Sequence, residues 1–422
     1  MEKINLFMTV GTGLGSKVGA TESLAHGLLT SIMDVSPDFI VFCGSKDSIK
    51  TVDSIKDQYF KKNNKKLEEY NFVQLNDINN LSNCFETIEN ELLKYDSTDI
   101  IKCNYTSGTK TMSVALALCA TLYKKDLVLV SGTRDETNLV CQGTEEHMRQ
   151  NLFRVYDKLT LDKVKELFNN NRFESAKTFL DEIKILENKK IYSDLIEFYN
   201  RWDKFNHEEV ASVDFSKESS KNFPEMKPQI QNNLKALNII NLKEKIEGNK
   251  TKNEHKLRCY YVLADILNNA DRRAIEGKYD DAIARLYRSL ELIAQIKLKI
   301  GYQLKTSNIE IEKVEKYCTD AQYINRLKQK NIHGKVKLGL KESFKLLNMM
   351  GNDLGNEFEK SEKKIKNILK LRNKSILAHG LEHRSKKEYL EFWEIVLNLA
   401  KFLYPDIEKL MEETKFPKFD SD

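Results

Sequence analysis

Asn104-Tyr105-Thr106-Ser107-Gly108-Thr109-Lys110-Thr111-Met112-Ser113 is the stretch whose reading decides the fold. The apolar run Asp99–Asn104 before it reads as a strand, and Thr109–Tyr123 after it has helical periodicity. A strand that passes into a helix through small and hydroxylic residues is half of a β-α-β unit. The turn has two readings. Thr or Ser at the helix start is an ordinary cap. Backbone N–H groups at the same point, with the positive end of the helix dipole, are also a ready anion site. Hydroxyls of Thr106, Ser107 and Thr109 could add donors there. Lys110 in the first helical turn opposes the dipole, which hints at an anionic partner. Both readings stay open from the residues alone.

The same alternation extends outward over residues 1–145. Ile4–Val10 reads as a strand, followed by Gly11-Thr12-Gly13-Leu14-Gly15-Ser16, and Thr21–Asp34 as a helix. Asp38–Cys43 is a strand followed by Gly44-Ser45, and Asp47–Lys62 a helix. Asn71–Leu75 and Leu127–Ser131 read as strands, Leu81–Lys94 as a helix, and Thr137–Cys141 as a candidate last strand. The pattern predicts an α/β domain with a mainly parallel, doubly wound sheet. Ligands bind such sheets at the carboxyl ends of the strands. The turns at Gly11, Gly44-Ser45 and Tyr105–Gly108 all follow strands in that way. Gly11, Gly13 and Gly15 run GxGxG, with Ser16 in place of a third glycine, so the dinucleotide fingerprint fails. Gly108-Thr109-Lys110-Thr111 lacks the earlier glycine of a nucleoside triphosphate loop.

From about Glu145 strand signals vanish and Lys, Glu, Leu and Asn recur at helical spacing. Residues 158–200 read as a helical hairpin, and 206–256, with Pro224 and Pro228, as an irregular connector. Helices are predicted at about 256–276, 279–300, 307–329, 342–352, 355–379 and 386–413, an all-α region. Asn170-Asn171-Arg172-Phe173-Glu174-Ser175-Ala176 is similar to Glu276-Gly277-Lys278-Tyr279-Asp280-Asp281-Ala282, and both look like hairpin turns. Two copies so far apart do not make a repeat array. The domain boundaries expected are 1–145, 146–254 (helical connector) and 255–422.

The 422 residues suit two or three domains, and a hydrophobic fraction of 41% suffices for real cores. A net charge of +5 permits an RNA partner without demanding one. Seven scattered cysteines without a CxxC pair read as reduced thiols. Met1–Met8 lacks the apolar core of a signal peptide, and no apolar run reaches the length of a membrane span. The expectation is a soluble, cytoplasmic protein without a membrane partner.

The second informative stretch is Arg372-Asn373-Lys374-Ser375-Ile376-Leu377-Ala378-His379. Seven residues are two helical turns, so Arg372 and His379 would share a face with Asn373 beside it. The arginine can hold a phosphate and the histidine can move a proton near neutral pH. If the 2′-hydroxyl of RNA is the nucleophile, no metal is needed. Taken alone, such a pair is more often structural. The basic stretch Lys328, Lys330, His333, Lys335 and Lys337 could steer RNA or form a solvated loop. His26, His147, His207, His255 and His333 show no metal-ligand spacing, and His383, beyond Gly380, reads as a bystander.

Together these motifs resemble a known family. The Thr-Ser-Gly-Thr-Lys turn, Thr106–Lys110, is similar to the signature loop of CARF domains, the CRISPR-associated Rossmann-like folds. Arg372-Asn373 with His379 six residues further on looks like the HEPN ribonuclease motif, and Asp280–Glu291 looks like an early helix of that group. The order resembles the stand-alone ancillary ribonucleases of type III CRISPR systems. The resemblance implies a Rossmann-like sensor, an all-α HEPN nuclease, and a homodimer. It implies a cyclic oligoadenylate activator, expected as the tetra-adenylate with the hexa-adenylate as alternative. It further implies metal-independent cleavage of single-stranded RNA to 2′,3′-cyclic phosphate ends, with no DNA partner. Arg372 would position the phosphate, His379 act as acid or base, and Asn373 orient one of them. The ring would contact Thr106, Ser107, Gly108, Thr109 and Lys110, with Gly11, Thr12, Gly13 and Ser45. Some CARF domains also cut their ring slowly, and the same hydroxyls and lysine could assist that. The competing readings are a ring-binding or ring-cleaving module with a structural HEPN part, a HEPN toxin that ignores such rings, and a transcription regulator, for which no helix-turn-helix is evident.

Overall fold

The computed structural model describes residues 3–13, 19–133, 136, 140–141, 143–150, 153–211, 221–242, 249–330, 336–373 and 380–420. The chain divides into two units, Met1–Thr160 with Ile183–Leu186, and Leu161–Glu182 with Glu187–Asp422.

The first unit alternates β1 (Ile4–Val10), α1 (Ala20–Val35), β2 (Phe39–Gly44), α2 (Ile49–Asn63), β3 (Tyr70–Gln74), α3 (Leu81–Leu92), β4 (Ile100–Asn104), α4 (Lys110–Leu122), β5 (Asp126–Ser131) and β6 (Glu146–Gln150). The sheet order is β3-β2-β1-β4-β5-β6. Strands β1 to β5 pair in parallel and β6 runs antiparallel to β5. Both faces of the sheet are covered, so the central strands are apolar at consecutive positions, as expected for parallel sheets. Phe7, Val41, Cys43 and Cys103 pack against Ile88 of α3 and Ala115, Leu116 and Cys119 of α4. Their neighbours in sequence, Leu6, Met8, Ile40 and Phe42, pack on the other face against Leu28, Leu29 and Ile32 of α1 and Val52 and Ile55 of α2. The alternation follows from the two-residue period of a strand. Each fully buried side chain of this size contributes roughly 1.5–3 kcal/mol. Connections leaving β1 and β4 go to opposite faces, and the switch point lies between these two strands.

β6 corrects the expectation that strands end near Glu145. Glu146-His147-Met148-Arg149-Gln150 is too polar to announce a strand, because an edge strand gains its energy from one neighbour. Here Arg149 holds Asp126 of β5 through two hydrogen bonds of 2.6 and 2.8 Å. Within the candidate last strand Thr137–Cys141, residues 137–139 lie outside the described residues.

The helical elements that follow are α5 (Phe153–Asn169), α6 (Phe173–Glu182), α7 (Lys189–Asp203), α8 (His207–Ala211) and α9 (Lys227–Ile240). Then come α10 (Asn249–Ile275), α11 (Tyr279–Tyr302), α12 (Ile311–Val314), α13 (Ala321–Gln329), α14 (Leu340–Met349), α15 (Asp353–Asn373), α16 (Lys386–Leu403) and α17 (Ile407–Thr414). The irregular connector contains α9, because Pro228 stands in its first turn, where a missing N–H costs little. The helix expected over 307–329 is broken, with Asp320 capping α13 by accepting from the Tyr323 N–H at 2.8 Å. The one expected over 386–413 breaks at Tyr404, which is extended ahead of Pro405.

The two similar heptapeptides are the same turn. Asn171 (φ 59°) and Gly277 (φ 76°) both adopt the left-handed conformation. Arg172 N–H donates to Leu167 O and Lys278 N–H to Arg273 O, each at 2.9 Å. These bonds satisfy carbonyls that a helix end leaves open. The seven cysteines are free. Burial pushes the Cys43 and Cys103 thiols far up and Cys119 to about 12, so none of these three is a ready nucleophile. Among the described residues no helix is long and apolar enough to cross a membrane.

Candidate functional site

A cleft of about 920 Å³ lies over the carboxyl ends of the sheet in the first unit. Gly11, Thr12, Gly13, Ser45, Thr106, Ser107, Gly108 and Thr109, which sequence placed on three separate turns, all line it. Lys110 does not. It is the first residue of α4 and exposed, one 100° helical step past its cap. Leu14, Gly15 and Ser16 of the first turn lie outside the described residues.

The loops hold one another through hydrogen bonds between hydroxyl side chains and backbone groups. Gly11 N–H donates to Ser107 Oγ at 3.0 Å, and Thr9 Oγ1 donates to Ser107 O at 2.5 Å. Thr51 Oγ1 donates to Gly11 O at 2.7 Å. A Cβ on Gly11 would stand 3.1 Å from the Gly108 backbone, and Gly108 itself has φ +101°. The two glycines therefore let strand-end turns touch where side chains would not fit. Thr109 is the cap of α4: its Oγ1 accepts from the Met112 N–H at 3.2 Å and donates to Ile78 O at 3.0 Å. Thr106 Oγ1 accepts from the Val130 N–H at 2.8 Å. Ser107 and Thr106 act as acceptors in these bonds, which keeps the O–H of each as a donor. The cap and the anion site are thus compatible. Thr109 closes the helix, while the first turn of α4 opens on the cleft.

Sequence reasoning missed several residues of the cleft. Ser131 ends β5 and Gly132 follows it, so both obey the strand-end rule and were findable. Asp47, Ser48 and Glu145 also line it. Glu145 precedes a strand that the sequence did not announce. Its carboxylate pairs with His26 at 3.3 Å and accepts from the Gly143 N–H at 2.7 Å.

In the helical unit, Arg372 and Asn373 fall in the last turn of α15. Their side chains, and His379 as a whole, lie outside the described residues. Beyond them the chain is fixed at Arg384. Its N–H donates to Asp280 Oδ2 at 2.9 Å, and its guanidinium binds Glu382 at 2.8 Å and Glu388 at 3.1 Å. Residue 380 is not helical, and His383 is exposed. A groove of about 400 Å³ is lined by Tyr287 of α11, Gly339, Lys341 and Glu342 at the start of α14, and Lys366 and Lys370 of α15. Lys366 and Lys370 precede Asn373 by seven and three residues. Lys366 pairs with Glu362 at 2.9 Å. In the basic stretch, Lys328 pairs with Glu315 at 2.7 Å and Lys330 with Glu342, while His333 and Lys335 lie outside the described residues. His26, His147 and His207 each face one carboxylate, from Glu145, Asp34 and Asp265.

Two family models match the chain: the Csm6 HEPN domain over residues 251–403 and the Csm6 6H domain over residues 156–250. Among solved structures the chain is similar to Enterococcus italicus Csm6 bound to cyclic hexa-2′-fluoro-hexa-dAMP, at 16% sequence identity and a TM-score of 0.58. That match covers 98% of each chain, and at this identity it shows the fold alone. No curated protein matches the chain.

Proposed function

The chain belongs to the Csm6 family of HEPN ribonucleases, and on that premise we propose that it is a single-strand-specific endoribonuclease switched on by a cyclic oligoadenylate. The observation that carries this reading is the HEPN match over 251–403, which encloses Arg372, Asn373 and His379. The 2′-hydroxyl of the substrate attacks its own phosphodiester. Arg372 holds the phosphate as charge grows on it. His379 takes the 2′-proton or gives one to the leaving oxygen, and Asn373 orients one of these groups. Atoms balance without a metal, and the products carry 2′,3′-cyclic phosphate and 5′-hydroxyl ends. The groove beside Lys341 of α14 and Lys366 and Lys370 of α15, the helix that carries Arg372, supports the reading of a phosphate-bearing strand there.

The ring binds over β1 and β4, at the turns of Gly11–Gly13 and Thr106–Thr109. Backbone N–H groups and the α4 dipole suit its phosphates there. The structural neighbour holds a six-membered analogue. That favours six adenylates over the four expected from sequence. Slow cutting of the ring, by attack of its own 2′-hydroxyl on the adjoining phosphodiester with the hydroxyl residues of these turns and Lys110 assisting, would limit the signal.

The active form is a homodimer. Val114, Leu118 and Leu122 stand along α4 at four-residue spacing and are 47%, 44% and 60% exposed. Such a stripe is unusual on a free surface, and α4 is also the helix whose start opens on the cleft. A ring with rotational symmetry suits a pocket on a two-fold axis.

The test is cleavage of a fluorogenic single-stranded RNA in EDTA, with and without cyclic tetra- and hexa-adenylate. Cleavage triggered by one ring and lost in His379→Ala is the expected result. No cleavage with either ring would overturn the activator, and undiminished cleavage by His379→Ala would overturn the nuclease assignment.

A further inference from the structure

The charged side chains that line the cleft, among the described residues, are Asp47 and Glu145, and both are acidic. They stand on opposite flanks. Asp47 follows β2, and Glu145 precedes β6, while the sheet order places β1 and β4 between them. The cleft is therefore favourable to anions at its centre, where α4 begins, and hostile to them at both ends. A bare phosphate gains nothing from the acidic flanks. A nucleotide does, because its phosphate is followed at a distance by hydrogen-bond donors on base and sugar.

Glu145 is the better placed of the two acids. Its side chain is only 5% exposed, held by His26 and by the Gly143 N–H. An ionised carboxylate has about four acceptor positions, and these contacts use two. The wall beside it is α1, which lines the cleft with Ala20, Ser23, Leu24, Gly27 and Leu28. Spacings of three and four residues put Ala20, Ser23 and Gly27 on one face, where their small side chains leave room for a flat ring beside the apolar Leu24 and Leu28. A Cβ on Gly27 would meet nothing within 4 Å. The apolar Leu129 and Val140 also line the cleft.

We propose that this flank is the base slot of the cleft, and that Glu145 is its specificity determinant, accepting a hydrogen bond from the exocyclic amine of an adenine. The assignment rests on the reading of the cleft as a cyclic oligoadenylate site. It gives that site a means to reject a purine whose amine is replaced by a carbonyl oxygen. Such a base would set an acceptor against an acceptor, in a place from which water is largely excluded.

The experiment measures the affinity of the full chain for cyclic hexa-adenylate and for the same ring deaminated to hypoxanthine at every base. The wild type is expected to favour the adenine ring at least tenfold. Glu145→Gln is expected to bring the ratio near one, because an amide can turn its NH₂ toward the hypoxanthine oxygen. A merely structural Glu145 would lower both affinities alike and leave the ratio unchanged, which overturns the assignment. Gly27→Leu is expected to weaken both rings at least tenfold without lowering the melting temperature, since leucine favours a helix over glycine. Unchanged binding by Gly27→Leu removes the slot from α1. Equal binding of both rings by the wild type overturns Glu145 alone. Binding of neither ring overturns the ring-sensing reading, and this assignment with it.

Discussion

The strand-end cleft and the end of α15 are built on opposite plans. In the cleft, chemistry comes mainly from backbone: N–H groups at the start of α4, two glycines in contact, and hydroxyls that mostly serve to lock one turn against the next. On α15 the candidate chemistry is all side chain, with Lys366, Lys370, Arg372 and Asn373 strung along one helix. A backbone site depends first on conformation, which Gly11 and Gly108 set here. A side-chain site depends on identity and tolerates changes in the loops around it.

The sharpest way to break this contrast is His379→Ala. Cleavage should fall by about 10²–10⁴, while the ring still binds with wild-type affinity in a direct titration. A parallel loss of ring binding would mean that the two plans are not separable. Gly108→Val should do the reverse. A branched side chain at φ +101° is strained, and it would press on Met112, 3.0 Å from the added Cβ. With about 1–3 kcal/mol stored there, the ring concentration needed for half-maximal cleavage should rise about tenfold or more. Activation at the wild-type concentration would show that the turn does not bind the ring.

The double change Lys341→Glu with Lys370→Glu probes the groove in the helical unit. It should raise KM for RNA several-fold with kcat nearly unchanged. It should also flatten the dependence of RNA affinity on salt by about one or two counterions. A fall in kcat alone would place these lysines outside the substrate path.

Ser385→Ala removes the cap of α16 and should cost about 1 kcal/mol in a denaturant titration. The partner of that cap, Glu388, is pushed up by burial, but hydrogen bonds from Ser385 and the charge of Arg384 outweigh this and leave its carboxyl below the usual range. A depressed carboxyl adds stability above its unfolded range and loses it as pH falls through the folded value. The wild-type advantage over Ser385→Ala should therefore shrink on acidification below about pH 4.5. An advantage that held at low pH would mean that the cap works without the carboxylate. Lys110→Ala should have the smallest effect, raising the activating ring concentration by about threefold or less, as for an exposed charge. No change at all would mean that Lys110 does not act on the ring even as a distant charge.

The sequence reading was most complete where burial on both faces wrote long apolar runs. β1 was expected at Ile4–Val10 and is found there. It failed where structure depends on a single neighbour or a single cap. β6 has polar residues at Glu146, Arg149 and Gln150, and only its pairing with β5 makes it a strand. Asp320 and Tyr404 break two helices that periodicity alone runs together. The cleft was legible as turns after strands, because small residues mark close backbone approach. Glu145 was not, since its neighbour His26 lies far away in sequence and only the fold brings them to 3.3 Å. Lys110 was read as a ring contact from its place in the first helical turn and from the resemblance, and neither fixes the direction of an exposed side chain.

The left-handed turns at Asn171 and Gly277 have a consequence in time. Each closes a hairpin between helices adjacent in sequence, so little chain entropy is lost before contacts form. The cleft requires β1 to find β4, with Ile4 opposite Ile100. Proteins rich in local contacts fold fastest. On dilution from denaturant, helical circular dichroism should therefore recover ahead of ring binding, and the chain should regain most of its helix before it can sense its signal.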